Sequence, residues 1–193
     1  MVLAQGRQRV DVETAKERVL DAAEELYYGR GVQAVGMDAV RNASGVSLKR
    51  LYQLYPSKGD LVEAWLRRRD TRWRDRLARY VETVDAGRPR ERILAVFDWL
   101  YGWFGEPGYR GCAFINSFGE LGAASPAVVA AAREHKEAFR RYIGGLVADA
   151  ELPAHLAGQL ALLAEGAMTT AAISGTPEAA RQARAAARTL IGD

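Results

Sequence analysis

Cysteine occurs once in the 193 residues, at Cys112, so no intrachain disulfide can staple the chain. Histidine occurs twice, at His135 and His155. Neither HExxH, GxSxG, a P-loop nor clustered metal-ligand spacing is present, which argues against an enzyme and implies no cofactor. His135, between Glu134 and Glu137 on a helix-forming stretch, reads as surface chemistry rather than a metal site. No apolar run reaches the roughly 18 residues a membrane span needs, and no secretory signal opens the chain. With a single cysteine, that predicts a cytoplasmic protein with no membrane partner. Strand-like alternation is also scarce. What remains is a 49% hydrophobic, alanine-rich sequence that can bury a sizeable core, and all-α is its natural class.

Local signals divide the chain into helices. Between Gly31 and Lys58 they are dense. Gly36 is an acceptable N-cap, and Met37 to Ala43 gives about two turns. Asp38 lies in the first turn, where the helix dipole favours an anion. Ser44-Gly45 stops the helix, since Gly45 is free to take positive φ. Ser47 caps a second short helix that runs from Leu48 to about Tyr55 and halts before Pro56. Ser57 starts another, with Asp60 in the acidic position of a capping box.

Spacing assigns the faces. Leu51 and Tyr55 share one side and form a small core with Val40 and Val46. Lys49, Arg50, Tyr52 and Gln53 lie off that stripe. From Arg41 to Lys58 there are four basic residues and no acidic one, although the first 66 residues carry nine of each sign. Two short helices, a glycine turn and a cationic second helix fit a helix-turn-helix over 36–55 that reads the major groove of DNA.

The same residues carry a resemblance. Ala15 to Tyr27, then Gly29 and Gly31, Val40, Gly45-Val46-Ser47, Leu51-Tyr52, Tyr55, and Ser57-Lys58 with Leu61 resemble the TetR (TetR/AcrR) family of bacterial transcriptional regulators. The resemblance spans roughly residues 14 to 66. It implies an all-helical homodimer with a three-helix DNA-binding head and a C-terminal domain for effector and dimer contacts. Such proteins usually repress a nearby promoter and release it when a small molecule binds. By matched position, Leu48 and Lys49 would face base edges, with Arg50 beside them; Tyr52 would touch a phosphate or a thymine methyl, and Lys58 would hold the backbone. Ser47, Gln53 and the N–H groups at Gly36 would position phosphates. Three residues depart from the family pattern. Gly36 stands where Thr or Ser is usual, Arg41 where a small alanine is usual, and Tyr55 where Phe is common. Arg41 must then reach outward.

The domains expected are a flexible N-terminal arm over 1–13, a DNA-binding head over 14–60, and an effector-binding and dimerisation domain over 61–193 built with about six helices. Residues 1–80 carry a charge of +5 and residues 81–193 a charge of −2. That suits a DNA head on a neutral body. Most of the excess is arginine between Arg67 and Arg79, read as a solvated face of a fourth helix over about 58–85. Arg7 and Arg9 in the arm are further phosphate candidates.

Further helices are expected over 89–104, 111–122 and 126–150, from Pro153 to Gly175, and from Thr176 as N-cap with Pro177 at the first position. An aromatic cluster with scattered polar groups suits a small apolar or aromatic effector. Its candidate lining is Trp99, Trp103, Phe104, Cys112, Phe114, Asn116, Glu120, His135, Glu165 and Thr169. Trp65 and Trp73 are candidate levers. The last two helices are rich in Ala, Gly and Thr, which lets helices approach closely and suits a homodimer on a palindromic operator. Gln182, Arg184 and Arg188 would mark the rim. The rival readings are a dimeric helical protein whose head binds protein, and an enzyme with a dispersed site.

Overall fold

The computed structural model describes the backbone of residues 2–192 and the side chains of residues 11–192. Arg7 and Arg9, expected to serve in an N-terminal arm, lie outside the described side chains. Among the described residues there are nine helices and no strand. They run α1 Val2–Arg30, α2 Met37–Ser44, α3 Leu48–Leu54, α4 Lys58–Val81, α5 Pro89–Phe104, α6 Ala113–Leu121, α7 Pro126–Asp149, α8 Leu156–Ser174 and α9 Glu178–Ile191. The chain divides into two compact units, residues 1–68 with 116–131, and residues 69–115 with 132–193.

In the first unit α1 packs on α2, and α2 on α3. Val19, Ala23, Tyr27, Val40, Leu51, Leu61, Trp65 and Leu66 are buried there. The Tyr27 and Trp65 rings meet edge-on at 5.4 Å. Trp65 Nε1 donates to Glu24 at 2.6 Å, and Arg68 reaches Glu17 at 3.1 Å and Asp21 at 2.8 Å. These bonds tie α4 to α1. Burial pushes the Tyr27 hydroxyl up to about 12, so it stays neutral.

In the second unit α5 lies against α8 and α9, with nine of its sixteen residues buried. Arg184, placed at a rim by the sequence, pairs with Asp98 of α5 at 2.7 Å, and Arg188 approaches Glu91 at 3.9 Å. Both therefore brace α9 on α5.

Several boundaries differ from expectation for local reasons. α4 stops at Val81 because Thr83 and Val84 tighten to three-residue bonds, and the Thr83 hydroxyl also takes the Tyr80 carbonyl at 2.7 Å. α8 begins at Leu156, after a tight turn in which Leu156 N–H reaches Pro153 O. The Thr176 hydroxyl accepts from Glu178 N–H at 3.1 Å, yet Pro177 occupies the cap position. The expectation of no span-length apolar run is also corrected. α8 is long and apolar enough by length and composition to cross a membrane. Its alanines, glycines and threonines dilute a single charge, Glu165, and eight of its residues are buried.

Candidate functional site

The turn between α2 and α3 is built from backbone geometry and short hydroxyls. Gly45 adopts φ 62° and donates its N–H to Arg41 O, a conformation that strains any residue with a Cβ. The Ser44 hydroxyl donates to Arg41 O at 3.2 Å and accepts from Val46 N–H at 3.3 Å. Ser47 then caps α3, its Oγ accepting from Arg50 N–H at 3.3 Å. Leu51, Tyr55, Val40 and Val46 are buried. The opposite edge of α3 is exposed: Ser47, Leu48, Lys49, Tyr52 and Gln53 face solvent, and Arg50 is half-buried. Leu48 and Tyr52 keep 41% and 46% of their surface, high for apolar and aromatic side chains. No carboxylate among the described residues pairs with Lys49 or Arg50. A helix presenting unpaired cations, an amide, an aromatic ring and an apolar tip has the inventory that phosphates and base edges require.

Flanking caps steady this edge. Ser57 N–H donates to Asp60 Oδ2 at 2.9 Å and Asp60 N–H donates to Ser57 Oγ at 3.2 Å, a complete capping box at the start of α4. Lys58 follows, half-buried, and desolvation lowers its pKa against a smaller opposing pull from Glu120. Gly36 caps α2 without a side-chain bond. Arg41 turns outward as expected, donating to Asn42 at 2.8 Å and pairing with Asp38 at 3.7 Å on its own helix.

In the second unit, Trp73 is the hub of the aromatic cluster. It meets Trp99, Trp103, His135 and Phe139 edge-on at 5.1–5.7 Å. Phe114 stacks on His135 at 3.8 Å. His135 is 3% exposed, which corrects its reading as surface chemistry. Its Nδ1 faces Asp70 Oδ1 at 2.7 Å. Burial alone would raise the Asp70 carboxyl; hydrogen bonds from His135 and Arg74 and their charges outweigh it and hold the group at about 2. Burial likewise lowers His135, but its bonds to Asp70 and Cys112 win and leave the imidazole raised.

Two family models match the chain: "Bacterial regulatory proteins, tetR family" over residues 19–65 and "Tetracyclin repressor-like, C-terminal domain" over residues 89–187. The chain belongs to the TetR family.

A curated relative, the HTH-type transcriptional activator FasR of Mycolicibacterium smegmatis, is 30% identical over 80% of this chain and 68% of its own length. An uncharacterized HTH-type transcriptional regulator of Mycobacterium tuberculosis is 38% identical over 84 residues; that match covers 42% of this chain and only 40% of the relative. Among solved structures, a TetR-family transcriptional regulator from Streptomyces coelicolor superposes with a TM-score of 0.83 at 25% identity, over 93% of this chain and 95% of that one. A protein from Streptomyces avermitilis described as a tetr-transcriptional regulator reaches 0.73 at 31% identity, over 90% and 97%.

In this TetR-family chain the residues expected to line a pocket separate into three groups. Trp99, Trp103, Phe104, Cys112, Phe114 and His135 are buried together in the second unit. Glu165 is half-buried and pairs with Lys136 at 3.2 Å, while Thr169 is exposed and bonds back to Glu165 O. Asn116 is exposed, and Glu120 works elsewhere: its carboxylate accepts from Gln33 N–H at 2.7 Å in the first unit. Sequence reasoning missed Asp70, Lys136, Phe139 and Tyr109, whose hydroxyl donates to Met168 O at 2.7 Å. Asp70 had one local signal, its spacing of four from Arg74, which it accepts at 2.7 Å.

Proposed function

We propose that this TetR-family regulator grips a palindromic operator as a homodimer and lets go when a small apolar or aromatic molecule occupies its second unit. The observation that carries the DNA reading is the exposed edge of α3, where Lys49, Arg50, Tyr52 and Gln53 stand unpaired above a buried Leu51 and Tyr55. Leu48 and Lys49 read base edges, Tyr52 takes a phosphate or thymine methyl, and Ser47, Gln53, Lys58 and the Gly36 N–H position the backbone.

The dimer reading is supported by α8, where Leu162 and Ile173 are 73% and 83% exposed and share a stripe with Gly166 and Thr169. Leu190 of α9 is 40% exposed. One recognition helix alone buries too little for tight specific binding, and a two-fold dimer meets half-sites about 34–36 Å apart. The aromatic hub, with His135, Cys112 and Lys136 as its polar groups, supports an effector with an apolar body. The protein acts by binding rather than turnover, in the cytoplasm where its operator lies. The relative FasR carries the name of an activator, so an operator that aids transcription is the second reading; position relative to the promoter separates the two.

Selection of bound fragments from random duplex DNA by the full chain tests this. The expected product is a palindrome with half-site centres one turn apart, released by an effector that costs about 5- to 150-fold in affinity. Salt-sensitive binding without sequence preference would overturn the proposal.

A further inference from the structure

One cation of the head comes from outside the helix-turn-helix. Arg18 lies on α1, beside the buried Val19 and Leu20, and its own side chain is exposed. Its guanidinium reaches across to the turn between α2 and α3. A Cβ added at Gly45 would meet Arg18 Nη2 at 2.6 Å and Cζ at 3.8 Å. The glycine at this turn therefore leaves space that the guanidinium occupies, in addition to accepting positive φ.

The charge of Arg18 is not spent inside the protein. On α1 the acidic residue at helical spacing from it is Asp21, three positions on. Arg68 of α4 draws both Asp21 and Glu17 away, at 2.8 and 3.1 Å. Lys16, two positions earlier, is matched with Glu13 at 3.0 Å. Among the described residues, Arg18 forms no ion pair and donates no hydrogen bond. The carbonyl that closes the turn, Arg41 O, is already taken by the Gly45 N–H and the Ser44 hydroxyl. A planar fork of N–H donors is thus held at the turn with no acceptor there. That fork matches two oxygens of one phosphate.

Position supplies the acceptor. Gly45 stands two residues before Ser47, the N-cap of α3. In a helix-turn-helix the N-terminal residues of the second helix enter the major groove while the preceding helix crosses the backbone. The turn joining them borders the phosphates at the edge of the groove.

We propose that Arg18 is a positioning residue for DNA, a bidentate phosphate clamp lent by α1 to the turn of the helix-turn-helix. It sets the angle at which α3 enters the groove and carries no base information. The proposal rests on the proposed function, because it assigns one more contact to the same interface. A cation at the turn also faces the negative end of the α2 dipole. That contribution acts on folding and moves the melting temperature; it leaves the salt dependence of DNA binding alone.

Salt dependence is therefore the readout. Fluorescence anisotropy on the full chain uses two probes, the duplex recovered by selection and a scrambled duplex of equal length, from about 50 to 300 mM KCl. A dimer carries two copies of Arg18. Arg18→Ala should weaken binding to both duplexes by about tenfold near 100 mM salt, with their affinity ratio unchanged. On the selected duplex the slope of log K against log salt should become shallower by about 1.8, two phosphate contacts at about 0.9 each. Arg18→Lys should restore the slope and only part of the affinity, since an ammonium keeps the charge and loses the fork. Arg133→Ala, which removes an exposed arginine from α7 in the second unit, should leave the slope as in wild type. Circular dichroism melts confirm that each variant is folded.

Three results overturn the proposal. The first is a wild-type slope in Arg18→Ala, which assigns Arg18 to the α2 terminus alone. The second is an equal loss of slope in Arg133→Ala, which makes the effect one of net charge. The third is a changed affinity ratio between the duplexes in Arg18→Ala, which places Arg18 against a base. If selection recovers no preferred duplex, the proposed function falls instead, and the slope on the scrambled duplex still decides the role of Arg18.

Discussion

Seven residues make α3 and sixteen make α5. α3 buries only Leu51, while Leu48 and Tyr52 stay in water and Lys49 and Arg50 find no internal carboxylate. α5 buries nine residues, and its half-buried charges at Glu91 and Asp98 are met by arginines of α9. The difference separates a helix made to meet an outside partner from one made to hold others in place. Polar side chains on the exposed edge of a helix fixed by two caps are hydrated in the free protein and stay available to an outside partner. Apolar side chains dominate where the helix itself is the scaffold.

The sharpest way to break this contrast is at the hub. Trp73 is 7% exposed and touches four other rings. Trp73→Ala should cost about 3–5 kcal/mol of stability in chemical denaturation, the range for large aromatics lost from a core. A loss below about 1 kcal/mol would mean that the cluster is loosely packed. On α3 the opposite outcome is expected. Lys49→Ala with Tyr52→Ala should leave the midpoint within about 0.5 kcal/mol, since both side chains are exposed. Operator affinity in a fluorescence-anisotropy titration should fall by about 2–3 kcal/mol, thirtyfold or more. Operator capture that survives the double change removes α3 from the interface.

These contrasts also show what a sequence can disclose. Every device around α3 is local: Gly45 and Ser47 lie beside what they terminate or cap, and the members of the Ser57–Asp60 box are three positions apart. Local chemistry writes itself into spacing, so the head was readable. The second unit was not, because its decisive pair, Asp70 and His135, is separated by 65 positions. Glu120 was grouped with the aromatic pocket because it follows Phe114 and Phe118 in the chain. Its partner, Gln33, is 87 positions away. The apolar length of α8 escaped notice because alanine and glycine are weakly hydrophobic one at a time.

The Asp70–His135 pair makes a smaller prediction, with its sign set by two directions. Asp70 is held at about 2 in the folded chain, below the unfolded value near ~3.9. Its contribution is present above about pH 4 and is lost as pH falls toward about 2. His135 is raised above 6.5, so its share is complete below about 6.5 and fades as pH rises through its folded value. Both describe one bond and count once. Asp70→Asn should cost roughly 2 kcal/mol near pH 6 and less at pH 9, measured by denaturation at each pH. A cost independent of pH would assign Asp70 a packing role only. Ser47→Ala comes next. Its capping bond is long at 3.3 Å and exposed, so the loss should sit at the low end, about 0.5–1 kcal/mol in thermal melting.

The smallest effect expected is a gain. Gly36 caps α2 at φ −88° and ψ 166°, an extended conformation any residue adopts, and offers the helix no side-chain oxygen. A Cβ built there meets nothing within 4 Å. Gly36→Ser therefore adds a hydroxyl without a clash. At an N-cap, serine exceeds glycine by only a few tenths of a kcal/mol, so the melting temperature should rise slightly. The same hydroxyl stands where family members usually carry Thr or Ser and would add one phosphate contact. Operator binding should then tighten evenly across related sequences, since a phosphate contact carries no base information. Tighter binding to one sequence alone would place position 36 against a base edge and move the whole recognition surface with it.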